Sequence, residues 1–86
     1  MEELLRTAAA GDPQAQYELA LHHDNLEGDA RDPAEAARWY RLAADQGLAG
    51  SQAMLATMYE KGVGVACDAA EAARWQALAE KANDAR

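Results

Sequence analysis

From Asp12 onward the apolar positions recur three and four residues apart, in blocks separated by short runs rich in Gly, Asp and Pro. In the block opened by Asp12-Pro13, the positions Gln16, Leu19, Ala20 and His23 share one face. They predict a helix over 13–25 with Asp12 as N-cap and Pro13 in its first turn. Asp32-Pro33-Ala34-Glu35 sets a glutamate three residues after an aspartate, the spacing of a capping box, and opens a second helix. Its buried stripe is expected to be Ala36, Trp39, Tyr40 and Ala43, with Gly47 as the stop. Asp68-Ala69-Ala70-Glu71 repeats the signal, with a stripe of Ala72, Trp75, Leu78 and Ala79. Glycine-containing loops at 26–31 and 62–67, the latter with Gly62-Val63-Gly64-Val65, bend each pair of helices antiparallel.

These blocks are copies of one another. The hexamer AEAARW at 34–39 recurs letter for letter at 70–75, a shift of 36 positions. The same shift aligns Gly11 with Gly47, Gln16 with Gln52, Leu19-Ala20 with Leu55-Ala56, Gly28 with Gly64, and Asp32 with Asp68. A fixed period of this length means one helical hairpin stacked on its own copy. Residues 1–10 fit as the second half of a further helix, Leu4 falling where Tyr40 does and Ala8 where Ala44 does. The expected fold is all-α: an α/α solenoid of two helix-turn-helix repeats preceded by a capping half repeat, five helices in all. The expected units are a capping helix at 1–11, a first repeat at 12–47, and a second repeat with the C-terminal end at 48–86.

With period, alanine slots and tryptophans in view, the chain resembles the Sel-one-like repeat (SLR) family, relatives of the tetratricopeptide repeats. The first copy carries Ala15-Gln16-Tyr17, Leu19, Gly28, Asp32, Ala36, Trp39-Tyr40, Ala43-Ala44 and Gly47 of that pattern. The second carries Gln52, Leu55, Tyr59, Gly62, Gly64-Val65, Asp68, Ala72, Trp75 and Ala79. Departures include Ala20 and Ala56 for a glycine, His23 for a tyrosine, Leu26 for the first loop glycine, Asp29 for valine and Gln76 for the second aromatic, so the first loop is expected to take a different path from the second. The resemblance implies a right-handed solenoid that works as a protein-binding scaffold, the first helix of each repeat lining the concave side.

Composition narrows the partners. Fifteen acidic against eight basic side chains give a net charge of −7, which repels phosphate backbones and anionic lipid, so neither nucleic acid nor membrane is expected. The amino terminus shows no basic segment followed by an apolar run, and the expected location is cytoplasmic. Catalysis has no visible machinery: Thr7, Ser51 and Thr57 have no histidine spaced for a triad, and Ser-x-x-Lys does not occur. No cofactor or metal is expected. His22-His23 are adjacent and diverge on a helix; the acidic run 24–35 breaks the calcium-loop pattern with Leu26, Gly28 and Asp29; and the single cysteine, Cys67, is read as a bystander thiol.

If Leu19, Ala20 and His23 face inward, the free face of that helix carries Gln14, Tyr17, Leu21, Asp24 and Asn25, and its copy carries Gly50, Ala53, Thr57, Glu60 and Lys61. By analogy with tetratricopeptide relatives, Gln14, Tyr17, Leu21, Asp24, Asn25, Thr57, Glu60 and Lys61 are the candidate partner-binding residues. An exposed Tyr17 is the expected anchor, and a basic peptide or protein the expected partner. The alternative is a self-associating module stacking through Leu4 and Leu5 at one end and Trp75 and Leu78 at the other.

Overall fold

A computed structural model of the chain describes residues 2–25 and 32–84, without the side chains of Asn25, Asn83 and Asp84. It contains α1 (Glu2–Ala9), α2 (Pro13–Asn25), α3 (Pro33–Asp45), α4 (Ala49–Lys61) and α5 (Ala69–Asp84), and no strand among the described residues. Each helix packs chiefly on its neighbours in sequence, giving a slab of 33 × 29 × 15 Å. That is the quasi-one-dimensional packing of a solenoid. The path of the first loop, expected to differ from the second, lies outside the described residues.

The helix starts use half of a capping box. Oδ1 of Asp32 accepts from the N–H of Glu35 at 3.1 Å, and Oδ1 of Asp68 accepts from the N–H groups of Ala70 and Glu71 at 3.0 and 3.1 Å. The expected return bond from each glutamate is absent because the aspartate N–H groups are already taken. Asp32 donates to the carbonyl of His23 at 3.2 Å, and Asp68 to that of Tyr59 at 3.0 Å, tying each α-hairpin across its loop. Released from capping, Glu35 pairs with Arg38 at 3.2 Å and Glu71 with Arg74 at 3.3 Å.

At the other end of α3, Gly47 takes φ +93°, its N–H bonds the carbonyl of Ala44 at 2.9 Å and that of Leu48 the carbonyl of Ala43 at 3.3 Å. This is a Schellman stop, which a side chain at Gly47 would strain. Gly64, at φ +76°, meets a second demand: a Cβ there would collide with the Pro33 carbonyl, so the second loop lies directly on the start of α3.

The core is made of small side chains around a few large ones. Ala20, Ala36, Tyr40 and Ala43 are fully buried, and Leu19, Leu55, Trp39 and Trp75 nearly so. Leu78 departs from the expected stripe: it is 37 % exposed, as its counterpart Leu42 is 43 % exposed. At 3.6 residues per turn it lies about 90° round α5 from the mean direction of Ala72, Trp75 and Ala79, at the rim.

Successive units are joined by a repeated polar bond. The side-chain amide Nε2 of Gln16 donates to the carbonyl of Ala8 at 3.0 Å, and that of Gln52 donates to the carbonyl of Ala44 at 3.1 Å. Both glutamines are buried, and each reaches the last turn of the preceding helix, where carbonyls lack intrahelical partners. In the first unit Gln46 completes the arrangement by donating to Oε1 of Gln16 at 2.9 Å. Shifted by 36, Gln46 becomes Ala82, and Oε1 of Gln52 is buried without a hydrogen bond.

Two stability changes follow from this core. Trp39→Ala should cost about 3–5 kcal/mol, against a total of about 0.05–0.15 kcal/mol per residue for a domain, so a thermal scan by circular dichroism should lose its cooperative transition. Ala82→Gln should restore the missing donor to Gln52 and add about 0.5–1.5 kcal/mol; an unchanged denaturant midpoint would refute the assignment.

Candidate functional site

Between α2 and α4 lies an open depression of about 140 Å³ lined by Asp24, Met54, Thr57, Met58, Lys61 and Val63. Three of the eight candidate residues, Asp24, Thr57 and Lys61, therefore share one surface. Tyr17 stands further along the same pair of helices. It is half-buried, not fully exposed as expected, because its ring packs on Tyr40 at 5.8 Å and lies over Gly50, where a Cβ would sit 3.5 Å from it. Leu21 is half-buried against the core and Gln14 is exposed at the start of α2. The side chain of Asn25 lies outside the described ones.

Glu60 goes elsewhere. It lines a second hollow of about 330 Å³ at the end of the array, between α4 and α5, with Ala56, Ala72 and Ala73. The first-unit counterparts Ala20, Ala36 and Ala37 are buried. The outer side of α5 nevertheless differs in chemistry: Gln76 stands where Tyr40 does, Glu80 where Ala44 does, and Gln76 donates to Glu80 at 3.3 Å. Trp75 is 2 % exposed, as its place in the buried stripe predicts and against the end face that self-association would use, with the guanidinium carbons of Arg74 and Arg41 lying 4.7 and 5.4 Å from its ring.

Met54, Met58 and Val63 were not among the candidates. Met54, Thr57, Met58 and Lys61 follow i, i+3, i+4, i+7 spacing, which would have marked them as one face. Their first-unit counterparts Glu18 and His22 are polar, so comparison by the repeat hid the methionines. The other chemical candidates stay isolated. His22 is exposed and His23 half-buried, their rings 5.8 Å apart, and no group of three or more His, Cys, Asp or Glu among the described residues is arranged to hold a metal. Cys67 is exposed and its thiol donates to the carbonyl of Glu60 at 3.4 Å.

The sequence model of the Sel1 repeat matches residues 13–48 and again 49–84. The chain belongs to the Sel1 repeat family. Among solved structures, a Sel1 repeat protein from Oxalobacter formigenes is 36 % identical with a TM-score of 0.90, over 95 % of this chain and 24 % of that one. The protein c5321, a protective antigen present in uropathogenic Escherichia coli strains and displaying an SLR fold, is 41 % identical with a TM-score of 0.88, over 94 % of this chain and 17 % of that one. The chain thus spans about a quarter or less of the length of either. No curated protein matches it. Sel1 repeats are helical scaffolds that generally mediate protein–protein interaction, and no helix among the described residues is long and apolar enough to cross a membrane.

Within the two Sel1 repeats, Tyr40 is fully buried with its ring 5.8 Å from that of Tyr17. Burial raises its phenol well above the usual value of 10.0, and the charge of Asp24 and then Tyr17 add to the shift. Its hydroxyl, fully buried, makes no hydrogen bond among the described residues. The folded chain thus keeps Tyr40 protonated where the unfolded chain ionises it, so this contribution is whole below pH about 10 and falls as pH rises beyond that. Tyr40→Phe should leave the melting temperature at pH about 7 equal or higher, since an unpartnered buried hydroxyl costs about 1–3 kcal/mol. It should also reduce the loss of stability between pH about 9 and 11; a large drop at pH about 7 would show that the hydroxyl has a partner.

Proposed function

We propose that this chain is a non-catalytic adaptor or small chaperone-like binder, acting in the cytoplasm, that holds a peptide or protein on the concave face formed by α2 and α4. Gln14, Tyr17, Leu21, Asp24, Asn25, Thr57 and Lys61 are the residues assigned to that face; Glu60, expected with them, lines the hollow against α5 instead. Residues 1–11 are the capping helix of a two-repeat array at 12–47 and 48–86. The observation that carries the reading is the depression in which Asp24, Thr57 and Lys61 rim a floor of Met54 and Met58. Methionine is flexible and polarisable, and suits an apolar side chain of varied shape. Half-buried Tyr17 adds a rigid aromatic edge already held by Tyr40. The net charge of −7 favours a basic partner and a salt-sensitive encounter.

Self-association through the end faces is a second reading, favoured by the hollow between α4 and α5 and by Leu5, 48 % exposed at the opposite end. Glu80 and Gln76 beside that hollow weigh against it as the main activity.

Affinity capture from the native cell should recover one protein with the wild-type chain and lose it with Tyr17→Ala and with Thr57→Arg. Thr57 is exposed, so the second variant keeps its fold, which circular dichroism checks. The capture should weaken by roughly tenfold between about 50 and 500 mM salt. Retention by both variants, or no salt dependence, would overturn the reading.

A further inference from the structure

Three of the chain's eight cationic side chains, Arg38, Arg41 and Arg74, gather on the side shared by α3 and α5, away from the depression between α2 and α4. There a groove of about 240 Å³ runs between α3 and the second loop, floored by Ala37 and Leu55 with Tyr59 and Val65. Its charged lining residues are Arg38 and Arg41, both cationic, in a chain whose net charge is −7. The guanidinium of Arg38 lies 5.9 Å from the Trp39 ring, and that of Arg41 crosses from α3 to lie 5.4 Å from the Trp75 ring of α5. A cation over an indole face is attracted by the ring and keeps N–H groups available for a planar acceptor.

Each arginine has one carboxylate on its own helix, Glu35 for Arg38 at 3.2 Å and Asp45 for Arg41 at 3.3 Å. These pairs are solvent-exposed, and exposed pairs are weak, so an incoming carboxylate can exchange with them. Neither Glu35 nor Asp45 lines the groove.

We propose that this groove is a second recognition surface, for an acidic peptide segment in which Asp or Glu stands next to a small apolar residue. The carboxylate engages Arg38 and Arg41 and the apolar side chain lies on Ala37, Leu55 and Val65. A free phosphate or nucleotide fits the charge and leaves that apolar floor unused, so a peptide is the better match. The surface is distinct from the concave face in place and opposite in the charge it selects.

The indoles beneath the two guanidiniums make the test spectroscopic, because a ligand that draws on Arg38 and Arg41 changes the field at Trp39 and Trp75, the chain's two tryptophans. The probes are a synthetic peptide alternating Glu with Ala and Val, its Gln counterpart, and inorganic phosphate. Tryptophan emission should change saturably with the Glu peptide, at roughly tenfold lower concentration than with either of the others. Arg38→Glu should weaken this by about tenfold or more, whereas Arg6→Glu on α1, an identical change in net charge, should leave it within about twofold. Arg38 is exposed, and circular dichroism establishes that its variant is folded. No saturable change, phosphate binding as tight as the peptide, or equal loss in the two variants would each overturn the proposal. Thr57→Arg, which reports on the concave face, should leave the response unchanged, so failure here and failure there are separate results.

Discussion

A buried amide bond governs how one unit meets the next. Gln16 and Gln52 each place a side-chain amide against the carbonyl of the residue that ends the preceding buried stripe, Ala8 or Ala44. Those carbonyls also accept the N–H of Gly11 and Gly47, so both acceptor sites of an otherwise orphaned helix-end group are used. A side chain can reach a backbone carbonyl of the next helix only where the two helices approach closely, and the buried positions are correspondingly small: Ala8, Ala15, Ala20, Ala36, Ala37 and Ala44 are all buried. The few large residues, Tyr40, Leu19, Leu55 and the tryptophans, fill what the close approach leaves.

The elements were legible because their signals are local and duplicated. The bounds of α2, the capping aspartates, the stop at Gly47 and the burial of Trp39 and Trp75 follow from cap chemistry, periodicity and the 36-residue shift. Where the reading missed, a non-local contact had taken a group that local rules assign elsewhere. The aspartate N–H groups bond across the hairpin to His23 and Tyr59, which undoes the capping box and releases Glu35 and Glu71 to the arginines. Leu78 looked like a stripe residue because leucine is apolar, yet its angular position puts it, with Leu42, at the rim.

The candidate site was legible only in part, for the same reason. Single-helix periodicity selects Asp24, Thr57 and Lys61, and these do share one surface. It cannot show that α4 lies against Tyr17 through Gly50, nor that Met54 and Met58 form the floor, since these depend on how two units are set against each other. Glu60 illustrates the limit of the repeat itself. Its counterpart Asp24 lines the depression facing α4, whereas Glu60 lines the hollow against α5, so equivalent positions in the sequence meet different surroundings.

Along α5 the departures from perfect repetition share a direction. Tyr40 becomes Gln76, Ala44 becomes Glu80 and Gln46 becomes Ala82, so buried Tyr40 and Ala44 of the first unit give way to exposed polar side chains in the second, and Gln52 loses the donor that Gln46 gives Gln16. A face bearing Glu80 cannot receive a helix as closely as Ala44 does without burying a charge, which is costly unless the incoming helix brings a cation. What remains unaltered is the arginine–tryptophan arrangement, Arg38 on Trp39 and Arg74 on Trp75, carried in both copies of the hexamer. The hexamer therefore encodes two things at once: an indole that packs the core, and a cation that lies over that indole and pairs with the hexamer's own glutamate, Glu35 or Glu71.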